Sequence, residues 1–461
     1  MAISPSFIES KPPLSPPPIQ IQTGFILLVS GVAALGGLLF GFDTAIISGT
    51  IPYLKTYFSL DEYMLGWAVG CILIGCGVGA LLAGKLAEAY GRKYVLIGCA
   101  ILFALSGLGA GLATSLNVFV AFRLLGGLGV GAAAMVSPMY IAEMAPASWR
   151  GRLVSLYQLA IVTGILLAYL SNYALADLGE NNWRWMFASQ TFPAVLFLLL
   201  LFLVPETPRW LVKKGRSEEA RLVLQKTGGE AFSRSELTAI VSSFQHEKQS
   251  TLSELFSPQH RGIVGIGVLI AVFQQITGIN AILYYAPEIF KETGLNTSGS
   301  LLQTLSIGVV NVLSTFIAIG LVDRIGRKRL LLIGSLLMGL SLVSVALCFQ
   351  YKYYENYLVL IATLVYVAAF GCTLGAVTWV YLSEIFPNRI RGLAMSAATL
   401  ALWLADFVVT YTFPVMTQQL GTSATLFTYA LFCAVAFVYI FVKVPETKGK
   451  TLEEIEKLVV K

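Results

Sequence analysis

The stretch Gly84-Lys85-Leu86-Ala87-Glu88-Ala89-Tyr90-Gly91-Arg92-Lys93 closes the second apolar run of the chain, and its last three residues occur again as Gly326-Arg327-Lys328. Two more motifs repeat in the same order and at nearly the same offset. They are Glu143 with Arg150-Gly151, repeated as Glu384 with Arg391-Gly392, and Pro205-Glu206-Thr207, repeated as Pro445-Glu446-Thr447. Because three motifs rarely recur in register by chance, the chain is predicted to consist of two similar halves.

The composition places both halves in a membrane. Of the 461 residues, 56% are hydrophobic and 12% are charged, whereas soluble domains carry about 25% charged residues. Twelve apolar stretches have the roughly 20 residues that a helix needs to cross a bilayer. Each is predicted to be a helix, because backbone groups in lipid must pair within their own segment. The expected fold is an all-α membrane protein with twelve transmembrane helices in two six-helix pseudo-repeats.

The hydrophilic segments divide the chain into domains. Residues 1–23 carry many prolines and lack the apolar core of a signal peptide, so a disordered tail is expected there. The predicted six-helix bundles are 24–204 and 261–443. A charged linker at 205–260, expected to form cytoplasmic helices, separates them, and a tail at 444–461 follows.

The net charge of +6 comes largely from lysine and arginine clusters in alternate loops. By the positive-inside rule these loops, the linker and both termini face the cytoplasm of a plasma (inner) membrane. The chain is thus expected to contact the lipid bilayer, and nothing indicates nucleic-acid binding. The six cysteines lie in predicted spans without metal-ligand spacing, and no enzyme motif occurs. We expect no cofactor, no metal, no enzymatic activity and a monomer.

Three charged side chains lie well inside predicted spans, namely Asp43, Arg123 and Asp406. A carboxylate in the bilayer costs roughly 2.5–3.5 kcal/mol on insertion scales, so it persists where it has a partner, water or a function. Asp43 and Arg123 are candidate partners for each other. The alternatives are a wet, frayed helix end around Asp43, or a permanent structural salt bridge. Asp406 is either a hydrated cavity residue or a second protonatable group.

The ordered motifs resemble those of the sugar porter family of the major facilitator superfamily over about 25–455. The motifs that carry this resemblance are Gly84–Lys93, Pro138–Glu143, Pro205–Trp210, Gln274–Asn280, Val322–Lys328 and Pro445–Lys450. Within the family, the chain is most similar to bacterial proton-coupled sugar symporters. The resemblance implies the major facilitator fold and a cycle in which protonated Asp43 releases Arg123 while sugar and proton bind from outside.

Amides at membrane depth are predicted to bind the sugar, because an amide both donates and accepts hydrogen bonds, as a hydroxyl group does. These amides are Gln158, Gln274, Gln275, Asn280 and Asn311. The alternative is that they only join helices, at about 0.6 kcal/mol each. Gln274 and Asn280 are about 120° apart on an ideal helix. We therefore expect a helix break at Gly278, with irregular backbone over 278–287.

Aromatic side chains are predicted to contact the apolar faces of a sugar ring. The candidates are Phe40, Tyr284, Phe370, Trp379 and Trp403, with a membrane-interface belt as the alternative. The two tryptophans match site tryptophans of the family. The chain also departs from the family pattern: Gly375-Ala376 replaces a usual Gly-Pro, so helix ten is expected to be less broken, and Leu402 replaces a site amide.

Charged residues at the linker-side ends of the spans are expected to form a gating network. Its pairs, Arg92 with Glu143 and Arg327 with Glu384, are expected to lock helix ends in one conformational state. The full predicted network is Arg92, Glu143, Arg150, Glu206, Arg209, Asp323, Arg327, Glu384, Arg391 and Glu446.

These patterns together predict proton-driven uptake of a monosaccharide, with a hexose such as glucose expected, by alternating access. The expected partners are the monosaccharide and protons. A facilitative sugar uniporter is the alternative within this class. A transporter-like sugar sensor is a further alternative, less expected because the segment after Lys443 is short.

Overall fold

The computed structural model of the chain describes residues 22–245, 251–354, 357–387 and 389–448. The predicted disordered tail falls outside the described residues up to position 21, as does the C-terminal tail from 449 onwards.

Within the described ranges the regular structure is entirely helical. A π-helical turn, Gly371–Gly375, joins two of the helices. The α-helices are α1 (Thr23–Tyr57), α2 (Glu62–Tyr90), α3 (Arg92–Leu112), α4 (Leu116–Met144), α5 (Arg150–Leu175), α6 (Asn182–Ser189), α7 (Thr191–Leu203), α8 (Pro208–Lys213), α9 (Ser217–Gln245), α10 (Leu252–Leu255), α11 (Arg261–Ile276), α12 (Ile279–Glu292), α13 (Thr297–Ile325), α14 (Arg327–Gln350), α15 (Leu358–Phe370), α16 (Ala376–Ile385), α17 (Arg391–Leu420) and α18 (Thr422–Lys443).

Twelve segments of the described chain are long and apolar enough to cross a bilayer, as the sequence predicts. Three of these spans are built from two helices each: α6 with α7, α11 with α12, and α15 with α16. Helices α8, α9 and α10 lie between the sixth and seventh spans, and α9 is kinked at Gly228 and Gly229, whose backbone is not helical. We call the face of the molecule that carries these three helices the linker face, and the other side the opposite face.

Each half packs mainly against itself. In the first half α2 packs on α4 and α1 on α5, and in the second half α14 packs on α18 and α15. Glycines bring α2 and α4 together, because a Cβ atom at Gly75 or Gly127 would overlap the backbone of the other helix. The two halves meet where α17 packs on α2 and α13 on α5.

The seventh span breaks at Gly278, as predicted, but the break is much shorter than predicted. Gly278 has a φ of 93°, a left-handed conformation that suits glycine. The helix resumes at Ile279 and continues through Pro287, so the expected irregular backbone over 278–287 is wrong. Pro287 has no N–H for the carbonyl of Leu283, and the Tyr169 hydroxyl of α5 donates to that carbonyl at 2.8 Å instead.

The tenth span departs from α-helical geometry although it lacks the proline of the family motif. Its π-helical turn covers Gly371–Gly375, and regular α-helix continues directly from Ala376 to Ile385. A built Cβ atom on Gly371 would clash with the Ser314 hydroxyl of α13. The turn thus lies where small residues let the tenth span approach its neighbour closely.

Candidate functional site

Three of the predicted amides form one hydrogen-bonded chain across the break in the seventh span. Gln275 Nε2 donates to Gln274 Oε1 at 3.4 Å, and Asn280 Nδ2 donates to Gln275 Oε1 at 2.8 Å. Gln274 and Gln275 lie in the last turn of α11, and Asn280 lies in the first turn of α12. Because Gly278 redirects the chain between them, side chains that a straight helix would separate come together.

The π-helical turn anchors one end of this amide chain. Gln274 Nε2 donates to the backbone carbonyls of Leu374 at 3.0 Å and Gly375 at 3.3 Å. A π-helical turn shifts the backbone bonding register and is frequent at functional sites. Since a backbone carbonyl only accepts, these bonds fix which end of the Gln274 amide carries nitrogen, and the orientation of the next two amides follows.

Asp406 of α17 closes the other end, and the sequence did not identify it as part of the site. Asn280 Nδ2 donates to Asp406 Oδ2 at 2.8 Å, and the Thr410 hydroxyl donates to Asp406 Oδ1 at 3.2 Å. The Asp406 side chain is 1% exposed. The signal available in the sequence was an acid inside a predicted span; its contact with Asn280 joins residues far apart in the chain.

The remaining residues predicted to contact the sugar are not part of the hydrogen-bonded amide chain. Asn311 and Phe370 both lie against the π-helical turn. Tyr284 is buried one helical turn after Asn280 and is 5% exposed. Gln158 and Trp379 are half-buried, and neither forms a hydrogen bond with the amide chain in the described part of the protein.

An aromatic contact joins the two halves beside the amide chain. The rings of Phe40 on α1 and Trp403 on α17 have centroids 5.6 Å apart. Trp403 is 5% exposed, and its Nε1 has no hydrogen-bond partner among the described residues. A buried indole N–H without a partner is costly, so this group is a ready donor for a bound ligand.

The predicted pair of Asp43 and Arg123 is present and completely buried. Arg123 Nη1 donates to the Asp43 carboxylate and, at 3.1 Å, to the Asp43 backbone carbonyl. Both side chains are 0% exposed, which excludes the wet helix end. The guanidinium also lies 5.6 Å from the ring centre of Phe187. Asp43 is one helical turn from Phe40 on α1.

Gln190, which the sequence did not single out, and Gly126 complete the surroundings of this pair. Gln190, at the break between α6 and α7, is 0% exposed and lies beside the Asp43 carboxyl group. Gly126 of α4 lies so close that a Cβ atom there would be 2.8 Å from Asp43 Oδ2. A polar residue in the middle of the apolar sixth span was the available signal for Gln190.

On the linker face of the first half, the predicted pair Arg92–Glu143 is present at 2.9 Å. Glu206 accepts the backbone N–H of Arg92 at 3.1 Å and of Lys93 at 3.0 Å, so it caps the first turn of α3. Burial raises the pKa of Glu206, although these N–H groups favour its charged form. The Thr207 hydroxyl donates to Glu143 at 2.6 Å.

The second half repeats these bonds and adds one, from Arg327 Nε to Glu384 at 3.1 Å, where Arg92 Nε has no partner among the described residues. Arg327 pairs with Glu384 at 2.8 Å, and Glu446 accepts the backbone N–H of Arg327 at 2.9 Å and of Lys328 at 3.2 Å. The Thr447 hydroxyl donates to Glu384 at 2.6 Å. The sequence repeat is therefore also a repeat of helix-end bonding.

Other members of the predicted gating network behave differently. Arg150 and Arg391 donate to the backbone carbonyls of Ala142 at 3.0 Å and Phe386 at 3.2 Å, and neither forms an ion pair within the part of the chain that the structure describes. Arg209 is exposed in the first turn of α8 and forms no ion pair with the described residues. The side chain of Asp323 lies outside the described residues.

The described linker-face ion pairs of this network each stay within one half, so they brace each half and do not hold the two halves together. Contacts between the halves lie toward the opposite face. Gln419 Nε2 donates to the Tyr63 hydroxyl at 3.0 Å, and the rings of Trp67 and Phe407 have centroids 6.1 Å apart. The bond from Tyr169 to the Leu283 carbonyl also joins the halves.

Comparison with known proteins shows which family shares this architecture. The chain matches the family model described as sugar (and other) transporter over residues 29–459. The arabinose-proton symporter of Bacillus subtilis is 40% identical over 444 residues, 95% of this chain and 96% of that relative. The D-xylose-proton symporter of Escherichia coli K12 is 42% identical over 477 residues, again 95% and 96%. An inward-open structure of the xylose transporter of E. coli has a TM-score of 0.85 at 41% identity, covering 94% of this chain and 100% of that one.

The fold and the buried polar site thus define a multi-pass membrane transporter of the major facilitator type, not an enzyme. The chain belongs to the sugar (and other) transporter family. The family resemblance and the twelve-helix fold predicted from the sequence are confirmed.

Proposed function

We propose that this protein imports a monosaccharide together with protons, by alternating access to a site between its two halves. The observation that carries the proposal is the fully buried Asp43–Arg123 pair, one helical turn from the Phe40–Trp403 contact between the halves. A buried ion pair is weak as a source of stability, which favours a functional reason for placing it here. The names of the two symporter relatives support proton coupling.

In this proposal, protonation of Asp43 neutralises the carboxylate and weakens its bond to Arg123, because the charge-assisted bond is lost. Helices α1 and α4 are then freed to shift relative to each other. Movement of α1 carries Phe40, and with it the contact to Trp403 in the second half. Sugar bound to the amide chain and the proton bound to Asp43 thereby favour the same rearrangement.

The orientation of the protein in the membrane is part of the same proposal. Lysine and arginine cluster on the linker face, so we assign that face and both termini to the cytoplasm of a plasma membrane. The contacts between the halves on the opposite face then correspond to closure toward the outside. We propose a monomer as the transporting unit, since each chain contains both halves of the site.

For the sugar, the names of both relatives favour an aldopentose such as xylose or arabinose over the glucose expected from the sequence. The amide chain supports a neutral polyhydroxyl ligand, but its bonds do not favour one sugar. A panel of D-xylose, L-arabinose and D-glucose in competition assays tests this point.

The deciding experiment is Asp43→Asn in proteoliposomes. We expect loss of sugar accumulation against a gradient, with counterflow of sugar between the two sides retained. The matched control is Asp61→Asn, the same chemical change at the N-cap of α2 on the opposite face. An amide at the N-cap still accepts a hydrogen bond, so this control should transport like the wild type.

The facilitative uniporter is the second candidate, and it is favoured if neither the wild type nor Asp43→Asn accumulates sugar while both give counterflow. Accumulation by Asp43→Asn equal to that of the wild type would mean that Asp43 is not the coupling group. A sugar sensor is favoured if the purified protein binds sugar but gives no counterflow at all.

A further inference from the structure

The described spans bury two acids, and only one of them has a cationic partner. Asp43 is 0% exposed and bonds to Arg123, while Asp406 is 1% exposed and bonds only to Asn280 and Thr410 among the described residues. An unpaired carboxylate in a buried site is far more costly than a protonated one. The proposed function makes no use of Asp406.

We propose that Asp406 is a second proton-binding group, located within the sugar site itself, which takes up a proton as the sugar binds. This inference rests on the proposed function, because it needs a sugar to bind at the amide chain. No covalent step is involved: a proton from water adds to the Asp406 carboxylate and leaves again with the sugar.

The donors and acceptors around Asp406 support a link between proton uptake and sugar binding. The Leu374 and Gly375 carbonyls fix the amide orientations, so both Nδ2 protons of Asn280 are used, on Gln275 and on Asp406. Asn280 therefore offers a ligand only its oxygen.

An ionised Asp406 likewise offers only acceptors. A sugar hydroxyl group both donates and accepts, so between Asn280 and an ionised Asp406 it finds acceptors but no donor. The Trp403 Nε1–H, which has no partner among the described residues, lies one helical turn away on α17. Protonated Asp406 supplies the missing O–H. The same proton thus removes an unpaired buried charge and completes the bonding of the sugar.

The position of Asp406 mirrors that of Asp43. Trp403 precedes Asp406 by three residues on α17, as Phe40 precedes Asp43 on α1, and these two rings touch. Each carboxyl group is thus about one helical turn from the contact between the halves. A movement that opens or closes this contact changes the hydration of both acids together.

The other groups around Asp406 do not titrate near neutral pH. Tyr284 of α12 and Cys76 of α2 face it, and both residue types are ordinarily neutral at pH 7. Tyr285 donates to the Thr410 backbone carbonyl at 3.0 Å, so it is occupied structurally. Among the described residues, Asp406 is the group facing this end of the amide chain that can change charge on sugar binding.

The test uses purified full-length Asp43→Asn, which removes the first carboxyl group, and compares it with Asp43→Asn/Asp406→Asn. Binding of whichever sugar of the D-xylose, L-arabinose and D-glucose panel binds best is measured by titration calorimetry in two buffers of different ionisation enthalpy. We expect Asp43→Asn to take up as much as one proton per sugar, and its Kd to rise by up to tenfold per pH unit in the alkaline range. The double variant should take up none and show a flat Kd.

Equal proton uptake by the two variants, or none by Asp43→Asn, overturns the proposal. Infrared difference spectra of Asp43→Asn give an independent readout that needs no substitution at Asp406: a protonated carboxyl band should appear on sugar addition, and its absence also overturns the proposal. Failure of the proposed function looks different, because the wild type would then accumulate no sugar under an imposed pH gradient.

Discussion

At the scale of single residues, the two buried carboxyl groups differ in the side chains that they bond to, and this difference determines how each binds a proton. Asp43 faces a guanidinium, which holds a negative charge in place, whereas Asp406 faces an amide and a hydroxyl group. Charge-assisted bonds are roughly twice as strong as neutral ones. In the proposed cycle, releasing Arg123 therefore requires protonation of its partner, while the proposed proton uptake by Asp406 depends on the ligand at the amide chain.

The close packing of Gly126 against the ion pair gives a prediction. In Gly126→Ala the new Cβ atom would lie 2.8 Å from Asp43 Oδ2 and 2.9 Å from the Ser106 Cβ, and overpacking of this kind costs about 1–3 kcal/mol. We expect a lower melting temperature and loss of proton-driven accumulation, measured by thermal unfolding and by uptake in proteoliposomes.

Gly98→Ala is the matched control, because Gly98 lies within α3 and a Cβ atom there meets nothing within 4 Å. It should match or slightly exceed the stability of the wild type. If the two variants behave alike, Gly126 is not packed against a functional pair.

Sequence reasoning succeeded for single residues that are out of place in their surroundings. Asp43, Arg123 and Gln274 are polar residues in apolar runs, so they could be selected without a structure, and the pair was found as expected. The bond between Asn280 and Asp406 could not be predicted, because it depends on how two distant helices pack. Exposure of Arg209 likewise depends on the direction of α8.

At the scale of helices, the site is made by departures from regular geometry. The Gly278 break followed from the angular spacing of Gln274 and Asn280. The continuation of the helix through Pro287 could not be predicted in this way, because it depends on Tyr169 satisfying the carbonyl that Pro287 leaves free. The same device recurs within the second half, where the Tyr285 hydroxyl donates to the Thr410 carbonyl, four residues before Pro414.

These two tyrosines allow a matched comparison. Tyr169→Phe and Tyr285→Phe each leave a buried carbonyl without a donor, which costs about 1–3 kcal/mol. Only the Tyr169 bond joins the two halves, so only Tyr169→Phe should favour opening on the opposite face. Spin-label distances across that face, between positions 63 and 419, should lengthen in Tyr169→Phe and stay unchanged in Tyr285→Phe.

Equal distances in the two variants, with equal losses of stability, would mean that the Tyr169 bond braces the seventh span without influencing the conformational equilibrium. Tyr173→Phe, at a half-exposed position on the same helix, controls for loss of a hydroxyl group as such.

At the scale of the whole molecule, the chain is two similar six-helix units, each braced on the linker face by its own ion pairs and capped helix ends. The repeat and the ion pairs at the helix ends could be predicted from the sequence because they lie in short motifs. The conformational state in which these pairs lock the helix ends could not be predicted, because the sequence does not say which conformation is populated. In this structure the contacts between halves lie toward the opposite face, consistent with its likeness to an inward-open transporter.

Proton movement driven by sugar tests the account most directly. Purified wild-type protein is sealed in vesicles without any imposed gradient, and the external pH is followed while each sugar of the panel is added outside. We predict alkalinisation of the outer medium with the transported sugar, and none with Asp43→Asn. Downhill sugar entry by the wild type with no change of external pH would contradict proton coupling and leave a passive carrier.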